Sequence, residues 1–159
     1  MLSPEDKHTL YRFFSGDLPL FACERWISLS QHADLQPARQ ALQALPDQRY
    51  EALISALGPL LDTQAHFDWQ LGIWLDWIAR EEPRAGLAVA HCYLLWCAGL
   101  SELAAVARPY LAGEAHEPFD WNAVRELVPE VAEAARELLA QISSGRLQLR
   151  PPADWLADA

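Results

Sequence analysis

Glycine is scarce in this sequence, and the few glycines stand mostly at predicted helix ends. The chain contains no Walker-type phosphate loop, no dinucleotide-binding glycine fingerprint, no G-x-S-x-G and no H-E-x-x-H. Each of these motifs places backbone N–H groups, a nucleophile or metal ligands where its chemistry needs them. Their absence excludes the nucleotide-binding and hydrolytic classes that depend on them and directs the search to weaker patterns.

Basic residues are few as well, since 12 Lys and Arg stand against 22 Asp and Glu and the net charge is −10. Binding to nucleic acid or to an anionic membrane depends on Lys and Arg, so this balance disfavours both partners. The same argument favours a protein partner with a basic surface. The first residues, MLSPEDKH, are polar, and no apolar run follows that could form a signal peptide or a membrane span. We therefore expect a cytoplasmic protein.

The chain has only three cysteines, Cys23, Cys92 and Cys97, all in apolar surroundings. An odd number argues against the disulfide framework of a secreted protein and predicts reduced, buried thiols. On a helix, Cys92 and Cys97 point about 140° apart, and His91 and Cys92 point about 100° apart. Neither pair converges on a metal ion or forms a nucleophile with its base. We predict no metal, no cofactor and no catalytic residue.

Signals for helix starts and ends recur along the sequence, whereas strand signals are scarce. The segment Ser3–Asp6 is typical of a helix start, and Gly16 and Gly99 are placed to end helices. We predict an all-α, single-domain bundle of about seven helices over residues 1–159, with an extended C-terminal tail at 146–159.

Two helices are predicted at the centre of the bundle, Thr63–Glu82 and Arg84–Ala98. Both are apolar on most sides, which is typical of buried helices. Trp74 and Trp77 of the first helix should be mostly buried. A further helix is expected at Ser101–Leu111.

The last long helix is expected to begin at Asp120 and to end before Gly145, with a kink or a break at Pro129. At 100° per residue, one of its faces is apolar and the opposite face carries four glutamates within about 60° of each other. The apolar stripe consists of Val124, Leu127, Val131, Ala135, Leu138 and Ile142. The glutamates are Glu126, Glu130, Glu133 and Glu137.

The excess of acid is concentrated around this helix. From Glu114 to Glu137 the chain has seven acids against two bases, which is half of the net charge. One interpretation is an ordinary solvated face. The other is a docking surface for a basic partner, since complementary charge steers association. We predict the docking role for Glu114, Glu117, Asp120, Glu126, Glu130, Glu133 and Glu137.

Two carboxylates, Asp68 and Asp76, each precede a tryptophan. Carboxylates in apolar surroundings can serve as general acids, because burial raises their pKa. The alternative, which we favour, places the tryptophans in the core and the aspartates at its edge. A deep polar pocket around His66, Asp68 or His91 would instead favour a small enzyme or a ligand-binding protein.

The segment from Leu10 to about Leu57 combines three recognisable elements. A short first helix ends at a glycine within Phe13–Leu20 (FFSGDLPL), a leucine-rich helix then carries an acid and a tryptophan in Glu24–Ile27 (ERWI), and a further helix includes Tyr50–Ser55 (YEALIS). In these elements the N-terminal third of the chain resembles the opening of small bacterial immunity proteins, which neutralise polymorphic toxins. The resemblance implies a cytoplasmic protein that binds one toxin domain and blocks it, with no chemistry of its own.

Three functions stay open at this point. The leading one is an immunity protein that binds and neutralises a cognate bacterial toxin. The second is a helical adaptor or chaperone that carries a partner protein without inactivating it. The third is a small helical enzyme or ligand-binding protein whose site assembles only in three dimensions. For the leading function, the expected partner is a toxin domain with a basic surface, and neither nucleic acid nor a membrane.

Overall fold

A computed structural model of the protein describes residues 1–113, 121–127 and 129–156. Within these residues the secondary structure consists of α-helices and short 3₁₀ turns, with no β-strand. The all-α class predicted from the sequence is confirmed. The α-helices are α1 (Pro4–Phe14), α2 (Leu20–Leu29), α3 (Gln36–Ala41), α4 (Arg49–Leu57), α5 (Thr63–Ala79), α6 (Ala85–Cys97), α7 (Ala104–Ala107), α8 (Pro109–Gly113), α9 (Trp121–Leu127) and α10 (Val131–Ser143). The 3₁₀ turns are Ala33–Leu35, Gly58–Leu60 and Ser101–Leu103. Helices α3, α7 and α8 are only four to six residues long, and the longer helices agree with the predicted number of about seven.

The first helix shows how local sequence sets helix boundaries. The Ser3 hydroxyl accepts a hydrogen bond from the Asp6 backbone N–H at 3.1 Å, and Pro4 occupies the first turn. Gly16 follows the end of the helix with φ of +76°, a conformation in which any other residue would be strained. The start and the end predicted for this helix are confirmed.

The chain divides into two compact units. Unit 1 comprises Met1–His66 together with the segment from Asp154 onward, and unit 2 comprises Phe67–Ala153. The boundary falls within α5. The expectation of one domain over residues 1–159 stays a prediction.

Unit 1 has a hydrophobic core built from α1, α2, the 3₁₀ turn at 33–35, α3 and α4. Leu156, near the C-terminal end of the described chain, is partly buried against this core. A hydrogen bond of 2.8 Å from the Trp26 indole N–H to the Asp6 carboxylate links α2 to α1. The buried core side chains are Leu2, Leu10, Phe13, Phe14, Cys23, Ile27, Leu35, Ala38, Leu53 and Leu57.

Unit 2 is built around α6, which packs against the 3₁₀ turn at 101–103, α7 and α8, while α10 packs against α7. The buried residues of α5 in this unit recur at helical spacing, so they form one face of that helix. These residues are Phe67, Gln70, Leu71, Trp74, Leu75, Ile78 and Ala79. The buried residues of α6 are Ala85, Gly86, Ala88, Val89, Cys92 and Leu95.

Burial of the two helices predicted to be central is partial. Trp74 is only 8% exposed, and Trp77, although more exposed than Trp74, is mostly buried, both as predicted. The guanidinium carbon of Arg84 lies 5.2 Å from the centroid of the Trp77 ring, so the outer face of this tryptophan is occupied by a cation. Helix α6 leaves Leu87 and Leu94 more than half exposed. Its all-round apolar composition therefore does not mean that it is enclosed on all sides.

Proline divides two of the predicted helices. The segment Ser101–Leu111 is not one helix but a 3₁₀ turn followed by α7 and α8, because Pro109 lacks a backbone N–H and begins a new helix. The predicted last helix is α9 and α10, and Pro129 lies in the turn between them. The break predicted at Pro129 is confirmed.

Replacing Trp74 by alanine should lower the free energy of unfolding by about 3–5 kcal/mol, because a buried aromatic side chain leaves a cavity. Leu94→Ala is the matched control, since Leu94 is 64% exposed on the neighbouring helix and its truncation should cost less than about 0.5 kcal/mol. Urea denaturation followed by circular dichroism measures both. Equal losses in the two variants would show that Trp74 does not contribute to the core.

Candidate binding surface

The last two helices have a buried apolar face. Most residues of the predicted apolar stripe are buried, which confirms the stripe; the side chain of Leu127 lies outside the described part of the chain. On α10 this burial sets the orientation of the helix, because side chains half a turn away must then face the solvent. The buried members are Val124, Val131, Ala135 and Leu138, and Ile142 is half-buried.

The four predicted glutamates are divided between the last two helices: Glu126 lies on α9, Glu130 caps the start of α10, and Glu133 and Glu137 lie along α10. All four side chains, Glu126, Glu130, Glu133 and Glu137, are exposed, as expected from the periodicity. We call this set the glutamate stripe. The other three residues predicted for the docking surface, Glu114, Glu117 and Asp120, lie outside the described residues.

The neighbouring arginines neutralise little of the glutamate stripe. Arg136 donates to the Glu133 carboxylate at 2.7 Å and, through its other terminal nitrogen, to the Ala79 carbonyl at 3.0 Å. Arg125 pairs instead with Glu81, at 3.4 Å. Among the residues that the structure describes, Glu126, Glu130 and Glu137 form no ion pair. Three carboxylates are therefore available to a cationic partner.

A groove of about 300 Å³ lies beside the stripe, between α7–α8 and α10. Its lining is mostly apolar, with Pro109 and Val131 buried and Ala105 exposed at the rim. Arg108 stands on the α7–α8 side and Glu130, a member of the stripe, on the α10 side. The sequence pattern did not predict this groove. Pro109, which lines it, and Pro129, which precedes Glu130, are the residues that could have pointed to it, because each proline marks a break between helices.

An aromatic cluster adjoins the groove through Arg108. The guanidinium carbon of Arg108 lies 5.8 Å from the centroid of the Trp96 ring. Tyr93 stacks on Tyr110, with ring centroids 4.6 Å apart, and all three aromatic residues are partly exposed. Trp, Tyr and Arg are the residue types that most often anchor protein interfaces. This part of unit 2 thus combines an acidic face, an apolar groove and aromatic neighbours.

A second pocket, of about 430 Å³, has one titratable residue among its described lining. Asp68 stands there with Ile142, Gly145, Leu147 and Gln148. Acid–base catalysis usually requires a second group that takes up or returns the proton. The described lining of this pocket contains no second group of this kind.

His66, in contrast, is buried in unit 1 among polar and aromatic groups. Its Nε2 lies 2.8 Å from the Ser15 Oγ, and its Nδ1 accepts the indole N–H of Trp155 at 3.1 Å. The ring of Tyr11 lies 5.7 Å away. A serine beside a histidine can be a nucleophile and its base, so the protonation of this ring decides what the cluster can do.

The indole of Trp155 sets that protonation. An indole N–H can only donate, so the Nδ1 of neutral His66 carries no proton and its Nε2 carries one. The Nε2–H then faces the Ser15 hydroxyl as a donor, which is the opposite of what a general base needs. In a catalytic triad, the residue at the position of Trp155 accepts a hydrogen bond from the Nδ1–H of the histidine. The arrangement instead ties the C-terminal segment to α1.

His91 and two of the three cysteines are also held in packing contacts. The ring of His91 is stacked on Trp74, with centroids 4.3 Å apart and planes 7° apart. Burial raises the pKa of the Cys23 and Cys92 thiols to about 12, so neither is a thiolate at neutral pH. Cys97 corrects the prediction of three buried thiols. It is exposed, because the five-residue spacing turns it away from the buried face that holds Cys92.

Glu24, the acid that precedes Arg25 and Trp26 on α2, is held inside unit 1. Its carboxylate pairs with Arg49 of α4 at 3.1 Å, and each side chain is less than a third exposed. Arg49 also donates to the Ala44 carbonyl at 3.3 Å. This acid therefore joins α2 to α4 and is a poor candidate for contacting a partner.

Within residues 1–113, 121–127 and 129–156, no group of three His, Cys, Asp or Glu side chains is arranged to hold a metal ion. None of the helices described there combines the length and the apolar character needed to cross a membrane.

The His66 cluster predicts a pH dependence of stability. Burial lowers the pKa of His66, and a hydrogen bond with the Tyr11 backbone offsets part of this effect. The folded state thus favours the neutral ring: its contribution is fully present above the unfolded pKa of about 6.5 and is lost as the pH falls through the lower folded pKa. Protonation of the His66 ring would also place an Nδ1–H against the Trp155 N–H, so this hydrogen bond would be lost. The loss reaches about 1.4 kcal/mol for each unit between the two pKa values.

Urea denaturation between about pH 7.5 and pH 5 measures this loss. His66→Gln should be less stable than the wild type at pH 7.5 but should lose less on acidification, because glutamine does not titrate. His8→Gln, an exposed change on α1, is the control and should keep the wild-type pH dependence. If His66→Gln also keeps it, then His66 does not cause the acid sensitivity.

Comparison with known proteins identifies no relative of this chain. No protein-family model, no curated protein and no solved structure matches the chain.

Proposed function

We propose that this chain is an immunity protein, which binds a cognate bacterial toxin domain in the cytoplasm and neutralises it. The observation that carries the proposal is the exposed glutamate stripe, in which three of four carboxylates form no ion pair among the described residues. An acidic face of this kind suits a toxin domain with a basic surface, such as one that acts on nucleic acid or another anionic substrate. Blocking such a domain requires binding alone.

The histidines and thiols described above make structural contacts, which agrees with a binding role. The histidine that lies nearest to a serine is committed to Trp155 in a tautomer that cannot accept the serine proton. The buried thiols have raised pKa values, and His91 is stacked on a core tryptophan. These residues stabilise the fold, which leaves the surface of unit 2 as the best candidate for function.

Charge on this surface should act mainly on the rate of association. Complementary charge can raise association rate constants from about 10⁵–10⁶ to 10⁸ M⁻¹s⁻¹ or more at low salt. Lysine at Glu126, Glu130, Glu133 and Glu137 should therefore slow association with the toxin and flatten its salt dependence. The fold should persist, because all four side chains are exposed, although the Arg136–Glu133 pair is lost.

A matched control separates position from total charge. The control variant has lysine at Glu5, Asp17, Asp47 and Glu51, which are exposed residues of unit 1, so that both variants gain the same charge. The wild type serves first to capture the partner from the native host. The captured protein should arrest growth when expressed alone and become harmless when this chain is expressed with it.

Stopped-flow association then compares the three proteins with the captured toxin. The stripe variant should associate more slowly than the control variant, and cells that carry it should be less well protected. Equal rates and equal protection would place the docking site elsewhere. A captured protein that is not toxic but is stabilised or delivered by this chain would favour the adaptor function instead.

A further inference from the structure

We propose that the groove between α7–α8 and α10 receives an apolar side chain from a basic segment of the partner, while the glutamate stripe holds that segment's lysines or arginines. This inference rests on the proposed function and deepens it, because it names the contact that gives affinity. The stripe accounts for encounter, but charge at an exposed surface contributes little to the lifetime of a complex.

The shape and lining of the groove favour an apolar side chain. Pro109 and Val131 are buried beneath it, and Ala105 and Ala134 offer small, accessible apolar side chains that leave space above them. A volume of about 300 Å³ lies at the lower end of the range for small-molecule sites. Its described polar groups are two charged residues at the sides, too few to orient a polar metabolite. An aliphatic or aromatic side chain would lose water there and gain contacts.

The charges around the groove set the chemistry of the segment and its orientation. Glu130 borders the groove, and Glu137 follows about 10 Å farther along α10, at 1.5 Å per residue. A segment with bases at helical spacing can face both carboxylates at once. On the other side stands Arg108, next to Trp96. Because Arg108 repels cations, the bases should lie on the α10 side while the apolar side chain points into the groove.

Two labelled peptides test this directly with the full chain. The first is an amphipathic peptide of about 14 residues in which lysines and leucines alternate at helical spacing. The second keeps every lysine but has serine in place of leucine. Fluorescence anisotropy at low and moderate salt gives the affinity of each peptide for each variant. The first peptide should bind the wild type more tightly than the second.

The decisive variant is Ala105→Trp, which fills the groove from an exposed position and leaves every charge in place. It should weaken binding of the leucine peptide by about tenfold, the loss expected when one leucine side chain no longer leaves water. It should leave binding of the serine peptide unchanged. Ala140→Trp, on an exposed position of α10 outside the described groove lining, is the matched control and should bind both peptides like the wild type. If circular dichroism shows that Ala105→Trp is unfolded, Ala105→Met replaces it.

The outcomes separate the groove from the stripe. The groove inference is overturned if neither peptide binds the wild type, if both bind it equally, or if Ala105→Trp binds the leucine peptide as well as Ala140→Trp does. In that case the stripe variant can still slow association with the captured toxin, and the proposed function stands. Conversely, selective loss in Ala105→Trp, together with toxin association that ignores the stripe, supports the apolar contact in the groove but overturns the role of the stripe, both in the proposed function and in this inference.

Discussion

Burial of one face of α10 is the constraint on which the functional surface depends. Val131, Ala135 and Leu138 are buried at helical spacing, and this leaves Glu133 and Glu137 no position except in the solvent. The same burial brings Val131 to the wall of the groove. Hydrophobic packing therefore determines both the acidic face and the apolar depression beside it, and neither requires a dedicated loop.

Proline determines where this surface is interrupted. Pro129 separates α9 from α10, and Pro109 starts α8 directly after α7. Short helices that meet at such breaks leave space between them that a continuous helix would fill. The groove occupies this space. The helix breaks at Pro109 and Pro129 thus give unit 2 a concave site.

Polar groups inside unit 1 serve a different purpose. His66 holds the Trp155 indole, and Leu156 packs partly against the hydrophobic core, so this hydrogen bond and apolar contact both anchor the C-terminal segment. Whether a buried histidine can act as a base depends on the group that is hydrogen-bonded to its other ring nitrogen. Here the partner is a donor, which excludes the base role that a serine at 2.8 Å would otherwise suggest.

The sequence alone determined the all-helical class, the cap at Ser3, the break at Pro129 and the outward direction of the glutamate stripe. These features depend on local propensity and on the 100° repeat of a helix, which a single sequence displays. Only the tertiary structure decided that Cys97 is exposed and that α6 leaves Leu87 and Leu94 in the solvent. An apolar residue on an all-round apolar helix can lie on either side, and the choice depends on which neighbours cover it. The tertiary structure also decided the tautomer of His66 and the groove lined by Arg108 and Glu130, because each brings together residues far apart in the chain.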